Sequence, residues 1–284
     1  MKTLLGIVAS PRKHGNSELL VKEVFRNLAD EWQLELLPLP ALDLRPCRAC
    51  YQCLFGDMKC PLEDDFPLAL AALLRADAYV VAAPAYFLGA NASLKRFLDR
   101  GLGFYAHVDE LWGKPAVGAA IAGIAGMEGY TKLAVESFIK LILADLRASA
   151  VLYGALPGEI FLTGTATEVA RSLAAALLQE KPERSPAVPL CPLCGGDTFR
   201  FLGEGRARCM LCSSEGNYVE QDGTLHFHMV PNAHDFFLTY ASVQRHAGWL
   251  RGMKEMFLAK RQELKRIKRP YTGLGTRLLP HDVD

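Results

Sequence analysis

Eight cysteines carry the first legible chemistry, and they fall into two groups of four with none left over. Cys47-x-x-Cys50-x-x-Cys53 and Cys60 lie within fourteen residues. At that spacing three thiolates can wrap one face of an iron–sulfur cube and the fourth can close it. Soft thiolate sets select iron–sulfur clusters or zinc, and four-cysteine sites hold 4Fe-4S clusters. Pro61 follows Cys60 as in bacterial ferredoxin runs, although the last gap is longer than in those runs. A zinc knuckle is the competing reading of the same spacing.

The second group reads differently. Cys191-Pro-Leu-Cys194-Gly-Gly and Cys209-Met-Leu-Cys212 are two Cys-x-x-Cys knuckles separated by fourteen residues. This spacing suits tetrahedral zinc in a ribbon, each knuckle giving two thiolates. A rubredoxin-like single iron is the rival, since Cys-Pro-x-Cys-Gly occurs in both, and the short gap favours the ribbon. So small a module draws folding energy from its metal. His226 and His228 share a strand face beside it, but four cysteines already complete a ligand set.

Three further segments could bind an anion and a flat ring. Ser10-Pro-Arg-Lys-His-Gly-Asn-Ser17 opens directly into a helix and combines hydroxyls, an amide, a glycine and cations. Backbone amides and the helix dipole at such a point favour an anion. The segment is neither a Walker loop nor a GxGxxG fingerprint. Pro84-Ala-Tyr-Phe-Leu-Gly89 offers apolar surface and a close backbone approach, and Gly123-Ile-Ala-Gly-Met-Glu-Gly129 is a third glycine-containing loop. An ordinary strand–helix turn is the competing reading of the first, and the second by itself reads as a core loop. All three at one sheet edge favour a ligand.

The elements that place them alternate. Strands are expected at Leu4–Ala9, Leu34–Leu37, Tyr79–Ala83, Ala116–Ala122 and Val151–Ala155. Helices are expected at Asn16–Leu28, from a cap at Asp64 and Asp65 to Arg75, and at Ala92–Leu102, Tyr130–Leu146 and Thr167–Leu178. The pattern predicts an α/β fold with a doubly wound, five-stranded parallel sheet, because each parallel crossover needs a helix to cover a sheet face. Ligands of such sheets bind beyond the carboxyl ends of the strands, where these loops fall.

Together, Ser-Pro-Arg-x-x-Gly-Asn-Ser at 10–17, the first cysteine motif, Asp64-Asp65, Ala76-Asp77-Ala78, Pro84-Ala-Tyr-Phe and Leu94-Lys95-x-Phe97-Leu98-Asp99-Arg100 resemble the iron–sulfur flavoproteins within the NADPH-dependent FMN reductase-like group. The resemblance spans roughly residues 1–180. It implies a flavodoxin-like fold, bound FMN, and a 4Fe-4S cluster on Cys47, Cys50, Cys53 and Cys60. Ser10, Arg12, Gly15, Asn16 and Ser17 would hold the FMN phosphate. Pro84, Ala85, Tyr86, Phe87, Leu88 and Gly89 would line the isoalloxazine, with Gly123, Met127, Glu128 and Gly129. It further implies a homodimer or homotetramer, with NAD(P)H or a small ferredoxin-like carrier as redox partner. No catalytic side chain is expected, because a flavin brings its own redox chemistry.

The expected organisation is a flavin-binding unit over 1–180, a proline-rich linker over 181–190, a zinc-ribbon-like module over 191–230 and a basic helical tail over 231–284. In the tail, Val243, Ala247, Leu250, Met253, Phe257, Leu264 and Ile267 lie near one helical stripe, among many lysines and arginines. The best overall reading is an oxidoreductase passing electrons between a 4Fe-4S cluster and FMN. The alternatives are a cluster-free NAD(P)H-dependent FMN or quinone reductase, and a redox-linked nucleic-acid binder using ribbon and tail. A formal net charge of +1 over 284 residues disfavours nucleic acid as a partner. The Met1–Ala9 run suits a buried strand better than a signal peptide, and no stretch suits a membrane span. The expected compartment is the cytoplasm.

Overall fold

The computed structural model describes residues 1–179 and 188–276. Most of the expected linker, and the last residues of the tail, lie outside them.

Strands β1 (Lys2–Val8), β2 (Trp32–Pro38), β3 (Ala78–Tyr86), β5 (Pro115–Ala122) and β6 (Asp145–Tyr153) form the expected parallel sheet, in the order β2-β1-β3-β5-β6. A two-residue strand, β4 (Gly89–Ala90), pairs antiparallel with the end of β3. This is the flavodoxin-like order, which reverses direction between β1 and β3 and opens a crevice there. Nearly continuous apolar runs make the inner strands β1, β3 and β5, whose faces helices cover, while the edge strands β2 and β6 carry polar residues such as Glu35 and Arg147. Alternate residues of β1 divide between two cores: Leu5 and Ile7 face one, Leu4 and Val8 the other. Helices α1 (Asn16–Arg26) and α6 (Thr165–Leu178) cover the second face. The first is covered by α2 (Phe66–Arg75), α3 (Ala92–Leu98), α4 (Val108–Leu111) and α5 (Thr131–Leu141).

Helix α1 ends two residues short of the expected Leu28, and two other helices end earlier still. Helix α5 stops at Leu141, and Ala144 donates back to the Ile139 carbonyl as Leu143 turns left-handed at φ 68°. Such a termination normally uses glycine. Here burial of the Leu143 side chain offsets the cost, and the chain enters β6 at Asp145. Helix α3 stops at Leu98 and gives way to a 3₁₀ turn, Gly101–Ala106. Asp64 and Asp65 precede α2 and are shared with other elements: Asp64 accepts from the Phe66 amide that opens α2 at 3.1 Å and also faces Arg100, while Asp65 accepts from the Asp43 amide at 2.8 Å.

Strands β7 (Phe199–Gly203), β8 (Arg206–Cys209), β9 (Glu215–Gln221) and β10 (Thr224–Val230) form an antiparallel sheet. Asp222 and Gly223, both at positive φ, make the two-residue hairpin turn. That conformation matches strand twist and favours this dipeptide. Helix α7 (Tyr240–Lys268) starts with a reciprocal Thr239–Ser242 cap and buries Val243, Ala247 and Leu250. Further along its apolar stripe Met253 and Leu264 are half-buried, and Phe257 and Ile267 are exposed in the single chain. No described helix is long and apolar enough to cross a membrane.

Candidate functional site

Loops leaving the carboxyl ends of adjacent strands meet at the crevice. The first runs from Ala9 to Gly15, with the Arg12 amide donating to Ser10 Oγ at 3.3 Å and the Gly15 amide to the Arg12 carbonyl at 3.0 Å. Asn16 and Ser17 are buried at the start of α1. His14 turns away, its ring nitrogen 3.3 Å from Glu18.

The second loop is a tight hairpin in which Tyr86 pairs with Gly89 across Phe87 and Leu88. Both bridging residues are left-handed, at φ 50° and 66°. Bulky side chains rarely adopt that conformation, and such outliers concentrate at ligand sites. The turn holds Phe87 fully exposed. The third loop is stitched to it, with the Tyr130 amide donating to the Leu88 carbonyl at 2.8 Å. Gly129, at φ 53°, has no alternative residue: a Cβ there would lie 2.1 Å from the Leu88 oxygen.

A fourth loop, after β6, was not anticipated. Arg12 Nη1 donates to the Ala155 carbonyl at 2.9 Å and Asn16 Nδ2 to the Gly154 carbonyl at 3.0 Å. The Gly158 amide returns a bond to Asn16 Oδ1 at 2.7 Å. The Asn16 side chain therefore clamps this loop, and what it offers an anion is its backbone amide. Because β6 was expected to run through Ala155, the loop read as strand. Its position follows from the parallel topology, which brings every such connection to the same edge.

The four loops enclose a cavity of about 200 Å³. Ser10, Arg12, Asn16 and Ser17 line it from the first, Pro84, Ala85 and Tyr86 from the second, Gly123 from the third, and Gly154 and Ala155 from the fourth. Phe87, Leu88, Gly89, Met127, Glu128 and Gly129 lie outside this lining, on the adjoining second and third loops, and so does Gly15, which packs within the first loop against Arg12 and Ser10. The lining contains a guanidinium, hydroxyls and a helix N-terminus, and no carboxylate. That donor set suits a phosphate.

The first cysteine group sits on the connection leaving β2, the strand beside β1 in the sheet. Ala49 and Tyr51, at φ 49° and 62°, reverse the backbone on both sides of Cys50. Burial, and then the neighbouring Cys60, Cys47 and Cys50, push the Cys53 thiol up to about 11. The four thiols thus act on one another, yet no three of them share a 4.8 Å neighbourhood among the described residues. Four thiols on one short loop, with no histidine among them, are the soft donor set that iron–sulfur clusters and zinc share. Arg100, buried behind the loop, donates to Cys60 Sγ at 3.1 Å. Lys95 pairs with Asp99 at the surface, as helical spacing suggests. A groove of about 1080 Å³ separates Cys50, Phe55 and Cys60 from Met253, Lys254 and Phe257 of α7.

The second group is compact. Cys191, Cys194, Cys209 and Cys212 are buried with all four sulfurs within 4.8 Å. Cys191 and Cys212 stand 3.8 Å apart, and Cys194 and Cys209 3.5 Å. Tetrahedral metal–thiolate bonds of about 2.3 Å place sulfurs about 3.8 Å apart. Hydrogen bonds from Cys194 and Cys209 lower the Cys191 thiol pKa. The set fits one tetrahedral metal ion.

The chain is similar to several known proteins. An iron–sulfur flavoprotein of Methanocaldococcus jannaschii is 36% identical over 125 residues, a stretch covering 42% of this chain and 64% of that protein. One from Archaeoglobus fulgidus is 29% identical over 159 residues, covering 55% and 70%. A solved structure of a flavone reductase superposes with TM-score 0.73 at 20% identity, over 98% of this chain and 99% of its own, and shares the fold. Residues 2–152, more than half of the 284, match the NADPH-dependent FMN reductase family, and the chain belongs to that family.

Proposed function

We propose that this protein is an FMN-dependent oxidoreductase that passes electrons between FMN and a 4Fe-4S cluster on Cys47, Cys50, Cys53 and Cys60. The observation that carries this reading is the shared sheet edge. The cysteine loop and the anion-binding loop leave adjacent strands, β2 and β1, whose ends are paired at Pro38 and Val8. Bound together, such groups interconvert single electrons and hydride equivalents. Ser10, Arg12 and Ser17, with the α1 amides, would hold the phosphate. The second and third loops would flank the ring, with Phe87 and Met127 exposed beside it. Cys191, Cys194, Cys209 and Cys212 would hold a structural zinc.

The same reading assigns residues 1–180 to the flavin unit, 191–230 to the ribbon and 231–284 to the tail. NAD(P)H, supported by the family, or a small ferredoxin-like carrier would be the partner in the cytoplasm. A homo-oligomer is supported by apolar side chains left open at the crevice rim, such as Phe87, Ile124 and Tyr130, and along α7.

Anaerobic purification tests this directly. The expected protein carries FMN, about four irons with about four acid-labile sulfides, and about one zinc. Zinc without sulfide at the first cysteines would instead make it a cluster-free NAD(P)H-dependent reductase. Failure to bind added FMN in a fluorescence titration would end the flavin reading.

A further inference from the structure

The Leu94–Arg100 segment ends in a buried ion pair that nothing so far explains. The side chains of Arg100 and Asp64 are 1% and 0% exposed. Removing two charges from water is costly, and a buried pair persists only with good geometry and satisfied hydrogen bonds. Here the geometry is complete on the acid's side. Asp64 accepts from the Arg45 amide at 2.9 Å, the Phe66 amide at 3.1 Å and both terminal nitrogens of Arg100. Burial pushes the Asp64 carboxyl up, but hydrogen bonds from Arg100, Arg45 and Phe66 leave it below the ordinary carboxylate range.

The guanidinium is held on every side as well. Nη1 also donates to the Arg45 carbonyl at 3.0 Å, and the group lies over the Phe66 ring at 4.4 Å. A planar, forked cation held this way presents its remaining donors in a fixed direction. One of them, Nη2, meets Cys60 Sγ at 3.1 Å. Cys60 is also the most distant in sequence of its four cysteines, so its place depends most on a contact from another element. The contact comes from beyond the end of α3, forty residues away.

We propose that Arg100 is a positioning residue for Cys60: Asp64 aims its guanidinium, and its N–H···S bond fixes the closing ligand of the cluster and eases cluster reduction. The inference rests on the 4Fe-4S reading given above. Reduction adds negative charge to a cluster and its thiolates, and hydrogen bonds to the sulfurs are among the factors that set its potential. A donor locked onto one sulfur in a buried setting stabilises the reduced state more than the oxidised one. The potential therefore rises relative to a site lacking that donor.

Two variants test it in anaerobically purified holoprotein, titrated with dithionite under EPR. Arg100→Met combined with Asp64→Asn removes both buried charges together, so neither is left unpaired. It should shift the midpoint potential to more negative values and speed iron loss to a chelator several-fold, with FMN content unchanged. Arg100→Lys keeps the charge and its carboxylate partner but not the fork, and should give the same shifts in smaller measure. It also serves as the readout if the double variant does not fold. Wild-type potential and wild-type iron retention in the variants would overturn the assignment. A wild-type preparation without sulfide would instead refute the cluster reading beneath it, a separate and recognisable result.

Discussion

Asn16 shows how a residue of the right type at the right spacing can act one step away from its expected target. Its amide bridges the Gly154 carbonyl and the Gly158 amide, tying the first loop to the fourth. Asn16→Ala would free two partly buried backbone groups, at about 1–3 kcal/mol each if water cannot reach them. FMN affinity should fall about tenfold or more, read by fluorescence titration, because the clamp shapes the cavity. Unchanged affinity would leave the clamp without a role in binding. A second residue-level expectation concerns His246, whose Nδ1 lies 2.9 Å from His234 Nε2 and whose ring stacks on Trp249. Burial, and then the charge of His234, lower its pKa from the ordinary 6.5. A depressed histidine contributes stability that is complete above the unfolded value and is lost as pH falls through the folded one. Acidification below about 6.5 should therefore loosen the start of α7. Tryptophan fluorescence should report this, and His246→Phe should remove the dependence.

Elements were legible wherever a local pattern decided them. The inner parallel strands are apolar runs, the β9–β10 hairpin carries Asp222-Gly223, and both cysteine sets stand out by spacing alone. What escaped depends on partners distant in sequence. Leu143 ends α5 in a conformation that a sequence assigns to glycine, and only its burial explains it. Strand β4 is two residues long, too short for any period. Asp64 meets the first amide of α2 as its place in the sequence suggests, but its pairing with Arg100, thirty-six residues away, has no local signal. The cavity followed the same rule: three loops could be read, while the fourth was hidden by a misplaced strand end. The contact between the second and third loops yields a prediction at this scale. Gly129→Ala would drive a Cβ into the Leu88 carbonyl and also disfavour the positive φ. Strain of this kind costs about 1–3 kcal/mol. The loops should separate, with weaker FMN binding and a lower unfolding midpoint in denaturant. Wild-type values for both would show that the two loops do not depend on each other.

At the scale of the whole molecule, the metal module is continuous with the sheet's own core. One buried cluster contains Phe97, Phe104 and Phe138 from the sheet-covering layer together with Cys191, Cys209, Phe237, Val243 and Leu250. Polar contacts cross the same junction. Tyr105 donates to the Phe236 carbonyl at 3.3 Å, Tyr240 bonds to Asp109, and Lys132 pairs with Asp197 beside a knuckle. Lys132 stands at the start of α5, directly after the third loop. Structural zinc supplies folding energy to small modules, so the ribbon should not survive its loss. Removing the metal would then take away the seat of α7 and uncover Tyr105 and Phe104. The prediction is that the loaded protein unfolds in one calorimetric transition. Cys209→Ser, or a zinc chelator, should shift that transition down by several degrees or split it, and the sheet should melt earlier than in the loaded protein. For a chain of this size each kcal/mol lost moves the midpoint by about 2–4 °C. A fall of that size in the sheet's own transition would therefore measure how much of its stability comes from the module. An unchanged transition for the sheet, with only the ribbon lost, would mean that the shared core is continuous in space but not in energy.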